Sequence, residues 1–159
     1  MKQVCFIISL ALTSCQRITP DEFPDSAVYS WLSTCAMASD YSTFCKVAQK
    51  AQVALYSTDS YNSGPTLVVV SNVGMDAYLT KSGQSGSDLI GNADLALAFF
   101  KDYFLKGNIN RSLTIKTLSD KTVQVSSTAS GVTLNGIAVQ KTQTLSSGAP
   151  LLFINQVLF

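Results

Sequence analysis

The chain has 159 residues, with 11 Lys+Arg, 10 Asp+Glu and no His, for a formal net charge of +1. That length suits one domain with a proper core, and balanced charge argues against a nucleic-acid binder, which would show a basic patch or stripe. Without His, the commonest general base, the Ser/Cys–His hydrolases and His-ligated metals all drop out, so the sequence reads as non-enzymatic, with no cofactor and no metal site. Only 13% of residues are charged, while Ser and Thr abound, the profile of an exported protein with a polar, uncharged surface.

Met1-Lys2 is a minimal positive start, and Val4 to Leu12 (VCFIISLAL) is apolar apart from Ser9. This run is too short to span a membrane, which takes ~20 apolar residues, and fits the apolar region of an export signal. Leu12-Thr13-Ser14-Cys15 resembles the lipobox of bacterial lipoproteins. The resemblance implies cleavage before Cys15, a lipid on its thiol and a membrane anchor there. An ordinary signal peptide cut near the same place, or a retained start, are the other readings. The cysteines then sort by position. Cys5 leaves with a signal covering residues 1–14, Cys15 takes lipid, and Cys35 and Cys45 remain in a disulfide-permissive compartment. Those two form a bridge, or sit as two buried thiols on neighbouring helices.

Residues 15–25 carry two prolines and three acids and read as a tether (QRITPDEFPD after Cys15). From Ser26 the pattern is helical: Val28, Trp31, Leu32 and Cys35 fall at i, i+3, i+4 and i+7. Asp40 or Ser42 is placed to cap a second helix, with Phe44, Val47, Ala48, Ala51 and Leu55 on one face. Ser57 to Pro65 is a loop by composition. Thr66 to Val70 (TLVVV) is a strand buried on both faces. A short helix follows, capped by Ser71 or Asn72; Lys81 to Ser87 (KSGQSGS) reads as flexible. Asn92 caps a further helix with Leu95, Phe99 and Tyr103 on one side. After that come strands. Leu113 to Leu118 alternates, Ser119-Asp120-Lys121 turns, and Val123 and Val125 alternate. Ser126 to Gly131 is a Ser/Gly-rich connection. Asn135-Gly136 is a hairpin signal between Val132/Leu134 and Ile137/Val139. Pro150 precedes an apolar run ending in Phe159. Helices first and strands last predict an α+β fold.

Asp40 to Ala48 (DYSTFCKVA), Gly64 to Asn72 (GPTLVVVSN), Thr114 to Val125 (TIKTLSDKTVQV), Val132 to Val139 (VTLNGIAV) and Gly148 to Leu158 resemble, in order, the motifs of the fasciclin-like (FAS1) domain family. The likeness covers residues 26–159 and implies helices packed on a β-rich wedge or sandwich of C-terminal strands. It also implies adhesion: a module that binds surface protein or polysaccharide, acting at a cell surface, in a periplasm or after secretion. The alternative it implies is a carrier for a small apolar ligand such as a pigment. The family's Tyr-His pair after the third helix is Tyr103-Phe104 here, so no receptor-binding residue carries over. A short tether would favour homo-oligomerisation or dense display for avidity.

Candidate binding residues follow from composition. Tyr56 and Tyr61 sit among Ser and Asn, the make-up of an adaptable binding surface. Phe99-Phe100 and Tyr103-Phe104 exceed what one helix face buries, so Phe100, Tyr103 and Phe104 are candidates for a groove or interface. Arg111 is the one arginine after the tether, within the sequon Asn110-Arg111-Ser112.

Overall fold

The computed structural model describes residues 26–37, 39–51, 66–107, 109, 111–146 and 148–159, with side chains from residue 31 onward. The leader, Cys15, the tether, Leu55, Tyr56, Tyr61 and Asn110 lie outside the described residues.

Helix α1 (Ser26–Met37) turns Leu32 and Cys35 inward, with Trp31 half-buried. Helix α2 (Ser42–Lys50) buries Phe44, Cys45, Val47 and Ala48, the spacing that the sequence pattern gave it. Neither Asp40 nor Ser42 caps α2. Tyr41 holds the cap position without a side-chain bond, and the carboxamide of Asn72 accepts from Thr43 N at 3.0 Å. Asn72 Nδ2 also donates to Ser39 O and Ser42 Oγ, at 3.1 and 3.2 Å. A residue remote in sequence thus satisfies the open end of the helix, a partnership that local cap rules cannot see. The Sγ atoms of Cys35 and Cys45 are bonded, with Cα atoms 5.9 Å apart, tying α1 to α2.

Strand β1 (Thr66–Val70) is buried at every position. It lies between β2 (Phe104–Leu105) and β8 (Pro150–Ile154) in a sheet ordered β2-β1-β8-β7, where β7 is Lys141–Thr144. It runs parallel to β8, with Leu67 opposite Leu151 and Val69 opposite Phe153. Pro150 opens β8, a position where its missing N–H does no harm. The second sheet is an antiparallel meander of β3 (Leu113–Lys116), β4 (Thr122–Thr128), β5 (Gly131–Leu134) and β6 (Ile137–Ala138).

Three helices separate β1 from the strands. Ser71 caps α3 (Asn72–Ser82) by accepting from Gly74 N. Gly83, at φ 68°, closes it. The stretch that reads as flexible is instead ordered by its own Gly and Ser. Ser85 and Asp88 exchange a capping box that starts α4 (Gly86–Gly91). Asn92 then caps α5 (Ala93–Lys101), accepting from Asp94 N and Leu95 N. Helix α2 is the hub of the helical layer, touching α1, α3, α4, α5 and β1. The Ser126–Gly131 connection is also shorter than composition indicates. Strand β4 runs on to Thr128, and Thr128 already faces Gly131. Asn135 and Gly136, at φ 49° and 81°, make the tight turn that their sequence announces.

Candidate functional site

Two surfaces have the chemistry to bind something. The first is the outward face of the β3–β6 sheet. Strand alternation sends Ile115, Val123, Val125 and Leu134 into the core and leaves their neighbours outside. The cross-strand pairs Lys116–Thr122, Thr114–Gln124 and Ser126–Thr133 then share one face. Thr114 Oγ1 donates to Gln124 Oε1 at 2.9 Å. The backbone of Gln124 is itself held: its N–H donates to Asn135 Oδ1 and its carbonyl accepts from Asn135 N, both at 2.9 Å. Lys116 is the one charged side chain among these six. The face presents four hydroxyls, one carboxamide and one ammonium on paired strands.

The second surface is a cleft of about 420 Å³ among α3, α4, α5 and the chain end. Phe99 and Tyr103 form its floor, their rings stacked at 4.7 Å, with Tyr78 against Phe99 at 5.1 Å. Leu89, Leu95, Ala98 and Phe159 wall it, and Leu95 and Phe159 are 39% and 43% exposed. Its polar members are Gln84, Asp102 and Lys121. Lys121 Nζ lies 2.7 Å from Asp102 Oδ2 and 4.7 Å above the Phe159 ring. Asp102 also accepts from the Ser119 hydroxyl. Gln84 Oε1 is buried with no hydrogen-bond partner. Burial pushes the Tyr103 phenol well above its ordinary pKa, and its oxygen accepts from Leu158 N at 3.3 Å.

Among the described residues no group of three His, Cys, Asp or Glu could hold a metal ion, and no helix is long and apolar enough to cross a membrane. In comparisons with solved structures, the chain is similar to a FAS1 domain pair from the insect cell adhesion molecule Fasciclin I. Sequence identity is 13% and the TM-score 0.46, over 72% of this chain and 43% of that one. The chain therefore spans less than half the length of that structure. No family model matches the chain, and no curated protein matches it in sequence.

The residues singled out in the sequence separate. Tyr103 reaches the cleft, although the residue is only 2% exposed. Phe100 and Phe104 do not reach it: they are 0% and 5% exposed and belong to the core. The physical reason is that the four aromatics do not share a helix. Helix α5 ends at Lys101, and Phe104 starts β2 opposite Leu67. Phe100 packs instead on Phe44 of α2 and on Phe104, with ring centroids 6.2 and 5.9 Å away. Arg111 is exposed and is not among the residues that line the cleft. Cys15, Tyr56 and Tyr61 lie outside the described residues. The sequence reading missed Gln84, Leu89 and Lys121. Gln84 sits between two caps in a run that reads as loop, and nothing in a linear pattern brings Lys121 beside Asp102.

Proposed function

We propose that the protein is a non-enzymatic, extracytoplasmic interaction module of fasciclin-like type that binds neutral surface polysaccharide through the β3–β6 face. The observation that carries this reading is the composition of that face. Four hydroxyls, one carboxamide and a single ammonium suit hydrogen bonding to polyols. A protein interface would be richer in Tyr, Trp, Arg and apolar anchors, which these six positions lack. The resemblance of Leu12-Thr13-Ser14-Cys15 to a lipobox supports an anchor on Cys15, and the Cys35–Cys45 bridge supports an oxidising compartment. The order of the five motif stretches supports the fasciclin-like type.

Retention on immobilised neutral glucan or mannan, with heparin as the charged control, tests the reading. The expected result is retention on a neutral polymer that persists to about 0.5 M salt, because the contacts need no long-range charge. The double substitution Thr114→Val with Gln124→Ala should weaken it about tenfold without unfolding the exposed face. Retention on heparin alone, or retention indifferent to the double substitution, would overturn it. Denatured intact mass of protein from its producing cells tests the anchor. Residues 15–159 plus acyl groups are expected, and an unprocessed chain from Met1 would contradict it.

A further inference from the structure

The cleft formed by α3, α4, α5 and Phe159 shares no lining residue with the six positions of the sheet face and has its own chemistry. We propose that it is a binding site for a compact, uncharged aromatic molecule bearing one hydrogen-bond donor. Three observations point to that class. The volume, about 420 Å³, lies in the range of small-molecule sites. Its lining is aromatic: Tyr78, half-buried, lies against Phe99, which stacks on the buried Tyr103, so a flat apolar guest would meet ring edges and the Tyr78 side chain. Leu95 and Phe159, both partly exposed at the walls, would be covered by such a guest.

The polar groups fix the rest. Asp102 and Lys121 neutralise each other at 2.7 Å, so the cleft offers no net charge to an ionic ligand. Gln84, one of the lining residues, carries a carboxamide oxygen, Oε1, that is buried without a donor. An unpaired buried acceptor is costly, and a donor brought by a ligand relieves that cost. Gln84 stands between Gly83, the left-handed residue closing α3, and Ser85, the capping residue of α4. Its side chain is among those that line the cleft.

Indole and N-methylindole are the probes, because they differ by one N–H donor at almost equal size. Amide chemical shifts of the full chain are followed during titration with each. Indole should shift residues around Tyr78, Gln84, Leu95 and Phe99, and N-methylindole should bind about tenfold more weakly. Gln84→Leu should bring the two probes to equal affinity. Ala98→Trp, on an exposed position of the cleft wall, should abolish both while leaving polysaccharide retention intact. Equal binding of both probes to the unsubstituted chain would overturn the donor pairing. Shifts scattered away from the cleft, or none at saturating indole, would overturn the site. A concentration-dependent dimer broken by Ala98→Trp would assign the cleft to a second copy of the chain and likewise overturn the proposal.

Discussion

Gly74 and Asn72 show how single residues set the join between α3 and its neighbours. A Cβ on Gly74 would lie 2.8 Å from both Asn155 O and Val70 Cγ1, so the first turn of α3 packs against the chain beyond β8 with no room for a methyl. Gly74→Ala should cost about 2 kcal/mol by overpacking, read as a lowered urea midpoint. Asn72 uses one side chain for three contacts to the start of α2. Asn72→Ala should cost about 1–2 kcal/mol, with faster amide exchange at Thr43. Neither role was legible in the sequence. The sequence offers Ser71 or Asn72 as the cap of this helix; Ser71 takes that task, and the reach of Asn72 back to α2 has no local signal.

Elements repeat the pattern: what is local was legible, and what is remote was not. TLVVV announces a doubly buried strand because its run is β-branched and unbroken, and Asn135-Gly136 announces its turn. Strand β7 (KTQT) was silent because three of its four residues are exposed at a sheet edge, which removes any alternation. The α4 helix was hidden because Gly and Ser serve both loops and caps. The bridge between α1 and α2 closes a sequence separation of 10 residues. Its replacement by Cys35→Ser with Cys45→Ser should cost about 2–3 kcal/mol in the chain-entropy account, measured by denaturant unfolding under identical buffer. Asp88 gives α4 an acid sensitivity. The hydroxyl and backbone N–H of Ser85 hold its carboxyl below the ordinary value of 3.8. That contribution is present above about pH 4 and is lost as the pH falls through the lowered value. Protection of the α4 amides, taken relative to their intrinsic exchange rates, should therefore fall below pH 4, and Asp88→Asn should remove that fall.

At the scale of the whole molecule, the absence of His from the sequence leaves little to titrate near neutrality. The lowered carboxyls of Asp88 and Asp120 add stability that is lost only in acid. The raised phenol of Tyr103 works in the opposite sense. Its contribution is complete below its ordinary value of 10.0 and is lost as the pH rises above it. Thermal midpoints should be flat from pH 5 to 8, fall in acid and fall again in alkali; Tyr103→Phe should remove the alkaline loss specific to that phenol. The α+β class was legible because, β1 apart, the helical pattern precedes the run of strands. The sheet joining β1 to β8 was not, since its partners, Leu67 and Leu151 among them, are far apart in the sequence. For the same reason the cleft was half legible: Leu95, Phe99 and Tyr103 share a helical spacing, whereas Lys121 and Phe159 arrive from elsewhere. The central claim, that the β3–β6 face binds neutral polysaccharide, is tested most directly by amide chemical-shift mapping with a neutral oligosaccharide. Shifts centred on Thr114, Thr122, Gln124, Ser126 and Thr133, unchanged by added salt, are the predicted result. Shifts confined to the helical side, or none at saturating sugar, would contradict it.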